Sequence, residues 1–438
     1  LMRSSAASDV YKRQFPYLAA KYGGGIFLII YIVLALTFGY TMIVAETAIG
    51  RMTRKSPVGA FKSFGKKKWL SFGGWINAVI PVLIVPYYSV IGGWVIKYLV
   101  EYFRGNAKLL AEDGYFTDFI SNGVSTELCF VAFCAFTLII IFAGVQNGIE
   151  RVSKIMMPIL IVLSVIIAVY SVTRPGALAG VKYFLVPNVK NFSWMTVVSA
   201  MGQMFYSLSI AMGILITFGS YMKKDTAIED STRNVEIFDT GIAIMAGLMI
   251  IPAVFAFSGG DPNTLQAGPS LMFITIPKVF QNMGFGTVIG IVFFLLVLFA
   301  AVTSSIALTE SAVSTFEDEL GWGRKKATVL VGVIMLVLGS LSSLGYGPLA
   351  GIKIIGMQFL DLFDFLTNSV MMPIAALLTS LLVSRVVGID KIEEEIIHGE
   401  SAFRRKKVFV VMIKYLCPVF AIIILLSSVA NALGWIKM

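Results

Sequence analysis

Histidine is almost missing from this 438-residue chain, with His398 the single instance. It sits among charged residues in a loop, which leaves no basis for a histidine-built metal centre or a serine–histidine hydrolase. Cysteine is nearly as scarce. Cys129, Cys134 and Cys417 all fall in apolar runs, where a thiol reads as a small buried hydrophobe and not as a disulfide partner or metal ligand. No phosphate-binding loop and no dinucleotide-type glycine motif occur, so nothing in the chain points to ATP-driven work. Charge is thin as well: 14% of residues are Asp, Glu, Lys or Arg, and no stretch between the apolar runs holds a large water-soluble domain. No nucleophile and base stand together, so the sequence does not read as an enzyme.

Apolar sequence fills the space these absences leave. Hydrophobic residues make up 57% of the chain and its mean hydropathy is +0.85. The runs repeatedly reach the roughly 20 residues that cross a hydrocarbon core. Spanning helices are expected near 26–50, 74–103, 126–144, 155–173, 193–221, 238–258, 285–315, 327–344, 354–384 and 408–431. The expected fold class is therefore an all-α polytopic membrane protein. A shorter apolar piece at 15–25, FPYLAAKYGGG, is too brief to span and reads as the outer half of a broken helix.

Loop charge orients the bundle, because short cytoplasmic loops collect Lys and Arg. Residues 51–68 carry Arg51, Arg54, Lys55, Lys62, Lys66, Lys67 and Lys68, and 385–407 carry Arg385, Lys391, Arg404, Arg405, Lys406 and Lys407. Arg151, Lys154 and the Arg-Lys-Lys at 324–326 mark two more inner loops, which alternate with weakly charged ones at 104–125, 174–192, 258–284 and 345–353. The net charge of +10 follows from this bias and from an anionic inner leaflet, and gives no sign of nucleic-acid binding.

Polar groups inside the spans are the candidates for function, since lipid cannot solvate them. The stretch GQMFYSLSIAMG, 202–213, sets Gln203, Tyr206, Ser207 and Ser209 at the centre of an apolar span. Such a set marks a substrate or ion path, or else a polar seam between packed helices. Glu46, Asp239, Glu310, Asp361 and Asp364 fall in or near spans, where an acid at the helix centre costs about 2.5–3.5 kcal/mol and calls for a partner. For Asp239 a bound cation is the natural one, with an interfacial acid as the competing reading. Asp361 and Asp364 lie near a helix start, where capping competes. Glu46 is deeper and suits hydrogen bonding to unwound backbone. In FAAVTSSIAL, 299–308, the i, i+3, i+4 spacing of Ala300, Thr303 and Ser304 puts a carbonyl and two hydroxyls on one helix face. That face can complete a cation shell or simply pack against a neighbouring helix.

Taken together, these stretches resemble the neurotransmitter:sodium symporter family, and more closely its bacterial amino-acid members with eleven helices. The resemblance rests on FPYLAAKYGGGIF at 15–27, ETAIGR at 46–51, YYSVIGGW at 87–94, GIERVSKIMMP at 148–158, GQMFYSLSIAMG at 202–213, GPSLMFITIP at 268–277, TSSIAL at 303–308 and EDEL at 317–320. It implies one transmembrane domain over 15–431, built of inverted repeats at about 15–173 and 193–384 plus an extra helix at about 408–431. The first and sixth helices would be discontinuous, with substrate at the breaks. The same resemblance implies that Tyr88 binds an amino-acid carboxylate, and that Ile84, Tyr206, Ser207, Ser209, Met212, Ser304 and Leu308 shape the pocket. Met212 stands where the bacterial leucine transporter has a bulky aromatic, which suggests a hydrophobic or aromatic amino acid.

Sodium ions are implied at two sites, one using Ser207 and Asp239 and the other Ala300, Thr303 and Ser304. The fixed charge of Asp239 suggests that chloride is not required. Asp364 matches an outer gate acid, Asp318 and Tyr221 match inner gate positions, Gln203 lies beside the anion position of chloride-dependent relatives, and Glu46 braces the broken helices. Coupling would follow from sodium and zwitterion favouring the same closed state. Two rival readings stand: proton coupling through Asp239 and Glu46, and a membrane protein that binds substrate without transport. The location implied is a prokaryotic plasma membrane; no oligomeric state is implied. Residues 1–14, LMRSSAASDVYKRQ, are polar and basic where the family has the inner half of its first helix, and Gln14 replaces the expected gate arginine. They are expected to be a non-native leader, and the first half-helix to be missing.

Overall fold

The computed structural model describes residues 15–259 and 270–432; the expected leader at 1–14, including Gln14, lies outside the described residues. Every named element among the described residues is a helix, and pairing outside helices amounts to the bridges Gly24–Pro187 and Ile354–Met357. In chain order the principal helices are α1 (Phe15–Lys21), α2 (Gly25–Thr53), α3 (Pro57–Lys62), α4 (Lys68–Phe103), α5 (Gly123–Phe142), α6 (Gly148–Val172) and α7 (Ala177–Leu185). They continue with α8 (Trp194–Ser207), α9 (Ile214–Tyr221), α10 (Ile228–Ser258), α11 (Leu271–Gln281), α12 (Gly286–Leu320), α13 (Arg324–Leu344), α14 (Phe359–Val387), α15 (Ile389–Ile397) and α16 (Lys406–Asn431). Nine of these, among the described residues, are long and apolar enough to cross a membrane.

Burial sorts them into a centre and a rim. The most apolar stretches of α4 and α12 are 78% and 72% buried, whereas those of α5, α6 and α16 are 39%, 33% and 33% buried, so the first pair forms the core of the bundle and the others face lipid. In a bilayer, lipid offers no penalty to outward-facing Leu, Ile or Val, which is why the rim helices read as apolar all round.

The expected break in the sixth helix is located, and one other expected span is corrected. The stretch 193–221 is not one helix: α8 stops at Ser207, α9 begins at Ile214, and Ser209, Ala211 and Gly213 between them have φ of 54°, 58° and 70°. Left-handed backbone at the two non-glycine positions costs about 1–2 kcal/mol per residue, so the surroundings must hold it. The span expected from 354 starts only at Phe359, because Ile355 and Gly356 (φ 54° and 77°) close a tight turn bridged by Ile354 and Met357.

The inner half-helix α9 lies almost backbone to backbone on α2: a Cβ added at Gly219 would stand 2.5 Å from the Thr47 carbonyl oxygen. A clasp of charged side chains at the end that bears the basic loops fixes the same region. Arg51, fully buried at the end of α2, donates from Nε to Glu395 Oε1 at 2.7 Å on α15 and from Nη1 to the Thr226 carbonyl at 2.5 Å, while Lys224 Nζ reaches Glu395 Oε2 at 2.7 Å.

Candidate ion and substrate site

The break between α8 and α9 leaves backbone N–H groups without helical acceptors. Glu46 on α2 answers one: Ala211 N–H donates to Glu46 Oε1 at 2.8 Å, and the glutamate is fully buried. This accounts locally for an acid at membrane depth.

Asp239 lies on α10, fully buried, beside the last residue of α8. Ser207 Oγ donates to Asp239 Oδ1, Tyr31 OH on α2 donates to Asp239 Oδ2 at 2.5 Å, and Tyr31 OH lies 2.9 Å from Ser207 Oγ. Three helices thus meet at one carboxyl. The neighbouring acids on α10 are answered differently. Glu236 holds a bidentate pair with Arg405 (3.1 and 2.5 Å), and Glu229 accepts from Tyr40 OH and from the backbone N–H groups of Arg404 and Arg405 at 2.7 and 3.1 Å. Glu310, on α12, pairs with Arg324 at 3.0 and 2.5 Å. Among the described residues no cationic side chain meets Asp239, and only hydroxyls do. A hard monovalent cation fits that deficit, since hydroxyls and a carboxylate are its preferred ligands.

The second oxygen cluster sits on α12. Ala300, Thr303 and Ser304 are all buried, and Thr303 Oγ1 donates to the Ala300 carbonyl at 3.0 Å and to that of Phe299 at 3.1 Å. A hydroxyl that donates inward keeps its lone pairs for an ion.

The residues expected to form the pocket divide into two groups. Ile84 and Tyr88 on α4, Ser209 and Met212 in the break, and Ser304 and Leu308 on α12 are all buried within the bundle. Tyr206 is half-buried and, with Gln203, lines a cavity of about 390 Å³ together with Tyr17, Asp364, Phe365 and Asn368. Asp364 Oδ1 accepts from Asn368 Nδ2 at 2.8 Å. Asp361, at the first turn of α14, accepts from Tyr346 OH at 3.1 Å. At the inner end, Tyr221 OH donates to Glu310 Oε1 at 2.8 Å, while Asp318 accepts from the backbone N–H of Ser56 at 2.5 Å; the two expected gate residues therefore hold different partners. Tyr31 and Asn368 escaped the sequence reading, and Arg405 was read there only as a loop charge. For Tyr31 a signal was present, a lone hydroxyl in the apolar run IFLIIYIVL.

The model of the sodium:neurotransmitter symporter family matches residues 9–111 and 100–435. The chain belongs to that family. It is 33% identical over 420 residues to an uncharacterised sodium-dependent transporter, YhdH, of Bacillus subtilis, covering 95% of this chain and 92% of that one. It is 24% identical over 449 residues to the human sodium- and chloride-dependent GABA transporter 2, covering 87% of this chain and 70% of that protein. A crystal structure of MhsT in complex with L-phenylalanine superposes with a TM-score of 0.86 at 32% identity, covering 98% of this chain and 97% of that one. This family member is accordingly a multi-pass, sodium-coupled transporter with the fold of MhsT, and not an enzyme.

Proposed function

We propose that this transporter imports a hydrophobic or aromatic amino acid together with sodium across a prokaryotic plasma membrane, by alternating access between inverted repeats. The observation that carries the reading is Asp239, a fully buried carboxyl met by hydroxyls from two other helices and by no cationic side chain among the described residues. In this reading the first sodium lies against Ser207 and Asp239, and the second against Ala300, Thr303 and Ser304. Tyr88 takes the substrate carboxylate, while Ile84, Tyr206, Ser209, Met212 and Leu308 surround its side chain. A flexible thioether at Met212 adapts to large apolar groups, and L-phenylalanine is the ligand bound to MhsT. Asp364 serves the outer gate, and Asp318 and Tyr221 the inner one. The fixed charge of Asp239 replaces chloride.

Proteoliposomes loaded without sodium and given a panel of radiolabelled amino acids under an inward sodium gradient test this. Accumulation of phenylalanine, leucine or tryptophan that collapses when sodium is replaced by choline is the expected result. Uptake that follows a pH gradient and ignores sodium, or binding with no accumulation, overturns it.

A further inference from the structure

An acid on the lipid-facing rim has no part in the transport reading. Glu127 lies on α5, four residues after its first residue Gly123, and therefore about 6 Å along the helix from its outer end. Across from it Ser340 lies four residues before the last residue of α13, Leu344, and its hydroxyl donates to Glu127 Oε1. The other oxygen, Oε2, is buried and has no hydrogen-bond partner among the described residues. A groove of about 480 Å³ runs over this point, lined by Asn122, Gly123, Val124, Glu127, Leu128, Leu344 and Pro348. Its flanks look outward: Val124 and Leu128 are 73% and 67% exposed. The floor is formed where Gly123 closes on Pro348 and Leu344, since a Cβ there would stand 3.0–3.1 Å from their side chains.

A carboxyl oxygen shut off from solvent and left without a donor is costly; rotation of the Glu127 carboxylate into the groove would bring that oxygen to a donor, and a charge-assisted donor relieves it best. The depth says which donors are within reach. The interfacial layer of a bilayer is roughly 5–8 Å thick on each side of the hydrocarbon, so one turn below the outer helix end is where lipid headgroups meet the first carbons of their chains. A lipid carrying a primary ammonium offers three N–H donors and a positive charge, and its acyl chain suits the apolar groove; a trimethylammonium headgroup offers the charge without the donors.

We propose that the groove between α5 and α13 is a binding site for a phospholipid with a primary-ammonium headgroup, held by Glu127 and by the apolar walls at Val124, Leu128, Leu344 and Pro348. The site is independent of the ion and substrate site, so the inference stands or falls apart from the transport reading.

The test uses the full chain in nanodiscs of phosphatidylethanolamine, phosphatidylcholine and phosphatidylglycerol at equal mole fractions, with retained lipid counted by native mass spectrometry after transfer to detergent. The wild type is expected to retain the ethanolamine lipid at least fivefold over the choline lipid. Glu127→Gln is expected to bring the ratio to within twofold of unity. Val124→Trp, which fills the groove from a lipid-exposed position and leaves Glu127 in place, is expected to do the same with an unchanged melting temperature. Equal retention of both lipids by the wild type, a preference that survives both substitutions, or a dimer trapped by disulfide formation in Leu128→Cys overturns the proposal.

Discussion

Replacing Asp239 by Asn removes the charge while keeping an oxygen for the Ser207 donor, and it should affect the sodium-free and sodium-bound protein in opposite directions. Without sodium, the wild type carries a fully buried carboxyl met only by the hydroxyls of Tyr31 and Ser207. Burying an uncompensated carboxylate costs several kcal/mol, of which hydrogen bonds to a charged group recover about 1.5–3 kcal/mol each. The neutral amide avoids the remainder, so Asp239→Asn should be more stable than the wild type in sodium-free buffer by about 1–2 kcal/mol. With sodium at a hundredfold excess over its dissociation constant, the wild type gains about 2.7 kcal/mol. Removing the charged ligand costs about 3 kcal/mol of ion binding, or roughly a hundredfold in affinity. At the same sodium concentration the variant then gains only about 0.4 kcal/mol. Thermal denaturation of purified protein across a sodium titration, with choline holding ionic strength constant, should give two curves that cross. A variant that is less stable without sodium, or that keeps the wild-type sodium response, refutes the argument that Asp239 is a carboxyl awaiting a cation.

Tyr31→Phe removes one donor to Asp239 and keeps the edge-to-face contact of the ring with Phe15 at 5.1 Å; it should lower sodium-free stability by about 1.5–3 kcal/mol while leaving the sodium response at least as large, both read from the same titration. Gly213→Ala places a side chain at φ 70° and a Cβ 2.7 Å from the Asn77 carbonyl oxygen and 2.8 Å from Pro57. The left-handed backbone alone costs about 1–2 kcal/mol, so a clear fall in melting temperature is expected, and an unchanged one would show that the break can relax. Exchange of chloride for gluconate should leave sodium-driven uptake unchanged; a collapse would show that Asp239 does not take the place of the anion.

The membrane class and nearly every span follow from the length of apolar runs, because a bilayer imposes that pattern on any chain that crosses it, while the placing of Lys and Arg predicts which loops face inward. The polar sets at 202–213 and 299–308 were legible for the same reason: a hydroxyl or carboxyl that lipid would penalise stands out against its neighbours. Composition cannot say which of these groups meet. Glu229, Glu236 and Asp239 look alike along α10, and only the packing of α2, α8 and the segment around Arg405 gives the first two a cationic or backbone partner and the third a pair of hydroxyls. The resemblance implied a break in the sixth helix, but its position at Ser209–Gly213 needed the tertiary structure, since an apolar window registers hydropathy and not the left-handed backbone that Glu46, 165 positions away from Ala211, is placed to cap. Local sequence determines what a segment can tolerate as its solvent; contacts between residues a hundred or more positions apart decide which buried carboxyl meets a cationic side chain and which meets only hydroxyls.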